Sequence, residues 1–174
     1  MAALLACVRD SGVRACLAAM YSCGLRIEEA TRLSVHDIDA RAMVIRVIGK
    51  GNKERLVPLC QGLLEQLREH YKTHRHPLLV FPNQRGKRPL WPSAVEKVFQ
   101  LALAEAGIKG HFTPHCLRHS FACRLLERKV PGETIRIVMG HASATTTQRY
   151  LHLTEPVRRA LAAVAASLHI APAR

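Results

Sequence analysis

Apolar residues recur at helical spacing along most of the chain. In residues 1–23 most of them fall three or four positions apart, which predicts one amphipathic helix that ends at Gly24. Its apolar positions are Leu4, Leu5, Val8, Val13, Cys16, Leu17 and Met20. Further helices are predicted at 26–34, 61–71, 92–106, 113–129 and 132–139, and proline or glycine marks several of their ends, as at Pro92 and Gly140.

The periodicity changes near the middle of the chain. The β-branched segment from Ala42 to Ile48 predicts a strand, and residues 54–57 predict its return strand. The residues between them are glycine, lysine and asparagine, which favour a turn. The fold class is therefore mixed α/β but mainly α, with a small antiparallel sheet packed by helices. That sheet comprises a hairpin at about 42–57 and a short extended piece near 79–90.

Composition narrows the function. The chain has 174 residues and is 48% hydrophobic, which suits a single domain with one core. Its 26 lysines and arginines against 13 acids give a net charge of +13, which indicates a polyanionic partner, nucleic acid first and an acidic membrane second. The chain has no apolar run long enough to span a bilayer and no signal-peptide pattern, and the six cysteines include no CxxC pair. These features indicate reduced thiols, no membrane partner and a cytoplasmic location.

Six polar residues stand out as candidate chemistry. Each of them alone is typical of an ordinary surface side chain, and His115 and Arg118 merely share a helix face. Together they supply what cleavage of a phosphodiester without metal needs, namely cations for the phosphate oxygens, a nucleophile and an acid for the leaving oxygen. The acids are scattered, so neither a metal site nor a cofactor is expected. The candidate residues are Arg26, Lys50, His115, Arg118, His141 and Tyr150.

The order and spacing of these residues resemble a known family. Along the chain they read arginine, lysine, His-x-x-Arg, histidine and tyrosine. They lie in the sequence segments YSCGLRIEEATRLSVHDID, VIGKGNKERLVPL, TPHCLRHSFACRLL and GHASATTTQRYLHL. The chain is similar to the catalytic domain of the tyrosine recombinases, or phage-type integrases, and most of all to their Xer-like branch. The resemblance implies site-specific DNA recombination, as in the integration and excision of mobile elements.

The resemblance also implies a covalent mechanism. Tyr150 would attack the scissile phosphate, form a 3′-phosphotyrosyl link and free a 5′-hydroxyl. Lys50 would protonate the leaving 5′-oxygen. Because the covalent link conserves the energy of the phosphodiester, religation would need neither ATP nor metal.

The other four residues would surround the phosphate. Arg26 and Arg118 would bind its non-bridging oxygens, for which a planar guanidinium is suited. His115 and His141 would hydrogen-bond the phosphate, and His115 would help to accept the tyrosine proton. The implied partners are double-stranded DNA and other protomers, assembled as a dimer or tetramer.

Two further groups of residues carry weaker signals. Basic residues in the predicted turns are candidate contacts to the DNA backbone; they are Lys53, Arg55, Arg85, Lys87 and Arg88. His115 and His119, one helical turn apart and near His111, Cys116 and Cys123, offer an alternative zinc site. That alternative is disfavoured because the segment has neither the glutamate of a zincin helix nor a CxxC pair.

Residues 1–174 are predicted to form one catalytic domain. Full-length members of the family carry an N-terminal core-binding domain, which this chain lacks, so we expect a fragment, a short gene or a separate polypeptide that supplies it. The C-terminal helix at about 155–168 is a candidate docking element for a neighbouring protomer. Two alternatives remain, a catalytically silent DNA-binding remnant and a type IB topoisomerase-like activity, and the GHASATTTQRY segment and compact size argue against the second.

Overall fold

A computed structural model describes residues 1–49, 54–140 and 155–168. Helices account for most of these ranges. They are α1 (Ala2–Ala6), α2 (Ser11–Cys23), α3 (Ile27–Thr31), α4 (Gln61–His74), α5 (Pro92–Glu105), α6 (His115–Glu127), α7 (Gly132–Met139) and α8 (Glu155–Leu168). None of the helices in the described ranges is long and apolar enough to cross a membrane.

Three short strands form an antiparallel sheet. They are β1 (Ile38–Asp39), β2 (Val44–Ile48) and β3 (Glu54–Pro58), in the order β1-β2-β3. The two longer strands pair from Val44 with Pro58 to Ile48 with Glu54, which confirms the predicted hairpin. The mainly helical fold with a small antiparallel sheet is likewise confirmed.

The third strand differs from the expectation. It is β1, which pairs with the start of β2, whereas the piece near 79–90 makes isolated bridges. Leu79 bridges to Ser34, and Pro82 bridges to Pro89 across a turn. Two prolines bound this turn, and proline lacks the N–H that a longer ladder would need.

The predicted N-terminal helix is in fact two helices. The side chain of Asp10 accepts a hydrogen bond from the backbone N–H of Val13 at 2.9 Å, so α2 has a capped start of its own. At the other end Gly24 adopts the left-handed conformation, with φ of 64°, and stops α2 as predicted. Arg26 follows this turn by two residues and precedes the first residue of α3.

The core is built around α2. Most of its side chains are buried, and it packs against α4, α6 and α8. The apolar stripe of α8, with Leu161, Val164 and Leu168, is buried on the chain's own α2 and α6. Docking of α8 on a neighbouring protomer therefore remains a prediction, and it would first require this face to leave its position here.

Candidate active site

Arg26 is fixed at the start of α3. Its backbone N–H donates to Oε2 of Glu29 at 2.7 Å, and its guanidinium donates to Oε1 of the same carboxylate at 2.9 Å. The side chain of Arg26 is 40% exposed and lines the cleft described below. One carboxylate thus holds both the backbone and the side chain of this predicted phosphate ligand.

Glu29 is a buried anion that binds two arginines, Arg26 and Arg55. Its side chain is 5% exposed, and it also accepts a bidentate pair of hydrogen bonds from Arg55, at 2.7 and 2.6 Å. Burial on its own would raise the pKa of Glu29, but the hydrogen bonds and charge of Arg55, followed by the bonds from Arg26, lower it to about 2. Glu29 is therefore ionised at neutral pH. Glu29 was not among the predicted site residues, although its place one helical turn after Arg26 was a signal.

Arg55 is buried, which is at odds with the predicted contact to DNA. The residue is only 2% exposed, and Nε donates to the carbonyl of Val138 at 2.9 Å in addition to the pair with Glu29. The physical reason is strand alternation, because Arg55 and Val57 lie on the same, inward face of β3. We therefore assign Arg55 to the interior of the site.

Arg118 lies on α6 and is also buried, at 2% exposure. Its NH1 group donates to the carbonyl of Gly24, and its NH2 group donates to the carbonyl of Met139. Burial, and then the charges of Arg26 and Arg55, lower the pKa of Arg118 to about 10, so the group stays protonated at neutral pH. The two bonds to these carbonyls use one N–H of each terminal nitrogen, and Arg118 also lines the cleft described next.

A cleft of about 430 Å³ opens beside these groups. Three of the six predicted site residues line it, since Arg26 and Arg118 are joined there by His115, the exposed first residue of α6. The full lining is Arg26, His115, Arg118, His119, Ala122, Ile135, Arg136 and Met139. His119 and Arg136 had not been predicted as part of the site. His119 could have been predicted, because it lies one helical turn after His115 and so on the same face of α6.

Part of the prediction lies outside the described residues. Lys50, Lys53, His141 and Tyr150 fall between 50 and 53 or between 141 and 154. Their predicted roles are neither supported nor opposed by the geometry.

The remaining predicted DNA contacts lie on one turn. Arg85, Lys87 and Arg88 are all exposed, between the bridged residues Pro82 and Pro89. The turn is ordered by its own hydrogen bonds, including one from the backbone N–H of Lys87 to the side chain of Asn83 at 3.2 Å. An exposed basic turn is compatible with binding a DNA backbone, and these contacts stay a prediction.

The site suits an anion better than a cation. Arg26 and Arg55 both bind the Glu29 carboxylate, and Arg118 lies near enough for its pKa to be affected by all three charges, so these four groups together carry an excess of two positive charges. In the described part of the chain, no group of three or more His, Cys, Asp or Glu residues is arranged to hold a metal ion. His119 and Cys123 do approach each other, with Nε2 and Sγ 3.4 Å apart, but they are only two potential ligands.

The family model and the two curated relatives compared below with this chain are all named as integrases or recombinases. The model of the phage integrase family matches residues 3–156. The putative integrase/recombinase y4qK of Sinorhizobium fredii is 41% identical over 150 residues, which are 86% of this chain and 49% of that protein. The tyrosine recombinase XerC of Proteus mirabilis is 40% identical over 151 residues, 84% of this chain and 48% of that protein. The chain thus spans about half the length of these curated relatives.

Solved structures share the fold. The XerH site-specific recombinase, whose crystal structure is a post-cleavage complex with a palindromic difH substrate, superposes with a TM-score of 0.70. It is 27% identical to this chain, and the match covers 88% of this chain and 47% of XerH.

Proposed function

The chain belongs to the phage integrase family, and on that premise we propose that it is the catalytic domain of a site-specific DNA recombinase. Its reaction is strand cleavage by Tyr150, which forms a 3′-phosphotyrosyl intermediate, followed by religation to a 5′-hydroxyl. The convergence of Arg26, His115 and Arg118 on one cleft is the observation that carries this proposal.

The arginines match the charge of the reaction. A phosphodiester carries one negative charge, and a second develops on the phosphoryl oxygens as a nucleophile adds. An excess of two positive charges, fixed before the substrate arrives, stabilises that transition state more than the ground state. Arg118 is held by two backbone carbonyls and Arg26 by Glu29, so neither guanidinium must reorganise during the reaction.

Three further groups complete the proposed mechanism. His115 accepts the tyrosine proton or donates a hydrogen bond to the phosphate, since it is exposed and one helical turn from Arg118. Lys50 protonates the leaving 5′-oxygen, and His141 donates to the phosphate. The proposals for Lys50, His141 and Tyr150 rest on the order and spacing of the residues and on family membership.

The proposed partners follow from charge and family. Double-stranded DNA is the substrate, and Arg85, Lys87 and Arg88, together with Lys53, contact its backbone. Other protomers complete a dimer or tetramer on DNA, and a core-binding domain is supplied by the same or another polypeptide. The site of action is the bacterial cytoplasm, as suits bacterial relatives that are recombinases.

A nicked suicide duplex tests the proposal. Duplexes that the protein selects from a random pool are nicked beside the scissile position, so that the released strand diffuses away and traps the covalent adduct. We expect an adduct on denaturing gels with the wild-type protein and none with Tyr150→Phe. Tyr71→Phe, a matched change on α4 away from the cleft, should leave adduct formation intact.

The other outcomes separate the alternatives. Salt-sensitive DNA binding without adduct, even when a core-binding domain is added in trans, would mean a silent DNA-binding remnant. Relaxation of supercoiled plasmid without site preference would instead support the topoisomerase-like activity.

A further inference from the structure

The side chain of Arg55 joins three separate segments of the chain. It projects from β3, its NH1 and NH2 groups bind the Glu29 carboxylate on α3, and its Nε binds the carbonyl of Val138 on α7. All three nitrogens of one buried guanidinium are therefore engaged, each toward a defined acceptor. Such an arrangement fixes the relative positions of the three segments, because a planar fork leaves little rotational freedom.

Two of these segments contact the predicted phosphate ligands Arg26 and Arg118. On α3, Glu29 orients Arg26 through both its backbone and its guanidinium. On α7, the carbonyl next to the one bound by Arg55 belongs to Met139, which accepts from Arg118. Arg55 is thus one contact away from each arginine that lines the cleft and holds a predicted catalytic role.

The close approach of Gly140 shows how tightly Arg55 fits. Gly140 ends α7 with φ of 66°, and a Cβ at this position would lie 3.0 Å from Cδ of Arg55. A side chain there would contact Arg55 more closely than ordinary packing allows. The glycine therefore lets the end of α7 pack against the guanidinium.

We propose that Arg55 is a positioning residue, which sets the geometry of Arg26 through Glu29 and that of Arg118 through the end of α7. The inference rests on the proposed function and goes beyond it, since Arg55 itself does not line the cleft. It replaces the earlier assignment of this residue as a DNA contact. Lysine cannot substitute fully, because one ammonium cannot reach both carboxylate oxygens and a carbonyl in a fixed plane.

The test separates positioning from mere stabilisation. Arg55→Met is compared with Arg46→Met, a matched change on the neighbouring strand β2 that removes an exposed pair with Asp37. Single-turnover adduct formation is measured at saturating duplex on samples shown by thermal melting to be folded. We expect Arg55→Met to be slower by about 100-fold, the scale of a misplaced reacting group, and Arg46→Met to stay within about twofold.

A double-mutant cycle supplies the specific readout. Because part of the effect of Arg55 passes through Arg26, adding Arg55→Met to Arg26→Ala should cost clearly less than the about 100-fold expected in the wild-type background, and the loss that remains is the part that passes through Arg118. Losses that multiply would refute positioning of Arg26. Arg55→Lys should fall between wild type and Arg55→Met in rate, and a fully active Arg55→Lys would refute the need for a planar fork and with it the positioning role.

Amide hydrogen exchange gives an answer that does not depend on activity. The N–H of Arg26 is protected by its bond to Glu29, so release of that carboxylate in Arg55→Met should speed its exchange by about tenfold or more. Arg46→Met should leave it unchanged, and unchanged exchange in folded Arg55→Met would overturn the proposal. If the wild-type chain bound DNA but gave no adduct, the proposed function would fail, and this exchange experiment would still decide whether Arg55 holds Arg26.

Discussion

The Glu29→Gln substitution probes the buried charge network most directly. It replaces the carboxylate that accepts four hydrogen bonds, two from Arg26 and two from Arg55, with a neutral amide of the same shape. The amide has a single oxygen acceptor, and its NH₂ group would face guanidinium donors. Two cations, one of them buried, would then lack their anion.

The magnitude follows from the pKa of Glu29, which falls from an ordinary 4.5 to about 2 in the folded protein. At about 1.4 kcal/mol for each pKa unit, folding favours the charged form by about 3 kcal/mol. Because the folded pKa lies below the unfolded one, this stabilisation is fully present above about pH 5. It is lost as the pH falls from there toward 2.

Chemical denaturation at a series of pH values measures the effect. Between pH 7 and pH 3, the wild-type free energy of unfolding should fall more steeply than that of Glu29→Gln. At pH 7 the variant should be less stable by at least about 3 kcal/mol. Glu69→Gln removes an exposed carboxylate paired with Lys72. It is the matched control and should cost less than about 1 kcal/mol.

One result would contradict this reasoning. If Glu29→Gln kept the acid dependence of the wild type, the carboxylate would not be titrating with a depressed pKa, and the ion-pair network would be wrong. If Glu29→Gln lowered the free energy of unfolding at pH 7 by no more than Glu69→Gln does, the ion-pair network would likewise be wrong.

Substitutions at three further sites test the packing and the helix ends around the cleft. At Gly24 an added Cβ would lie 2.5 Å from the ring of Phe121 in a left-handed backbone. Gly24→Ala should therefore lower stability in thermal melts by about 2 kcal/mol or more. Gly86 has the same φ with open space around it; Gly86→Ala should show only the strain of about 1 kcal/mol, and equal losses at the two positions would exclude the contact. Asp10→Ala removes the side-chain cap of α2 and should cost about 1 kcal/mol in urea denaturation, so an unchanged midpoint would argue against a separate start of this helix. Leu161 is buried, and Leu161→Ala should cost about 2–5 kcal/mol if α8 packs on its own chain, whereas a neutral result would show that it does not.

Helix boundaries were predictable wherever proline or glycine sets them. Pro92 stands at the first turn of α5, and Gly24 and Gly140 end α2 and α7 in the left-handed conformation. These residues act through local backbone geometry, which a sequence reveals directly. The break before α2 was missed because Asp10 caps by a side-chain bond, and the one irregular interval, the five positions from Val8 to Val13, was taken as part of one apolar stripe.

The interior of the site was less predictable than its lining. Arg26, His115 and Arg118 were found by residue type and spacing, and they do meet at one cleft. The burial of Arg55 and Glu29 was missed because a basic hairpin residue and a helical glutamate are usually solvated. Their pairing joins two segments far apart in sequence, and only the register of β3 and the fold reveal it.

The uncompensated charge around Glu29 ties the stability of the protein to the anions in solution. Arg118 lies close enough to Arg26 and Arg55 for their charges to lower its pKa, and a bound phosphate or sulfate would relieve that repulsion in the folded state alone. An anion present at about 100 times its dissociation constant would add about 2.7 kcal/mol to the free energy of unfolding. The melting temperature of this chain should therefore depend on whether its buffer is phosphate or chloride. If such an anion binds, the stabilities of variants should be compared only at one fixed anion activity.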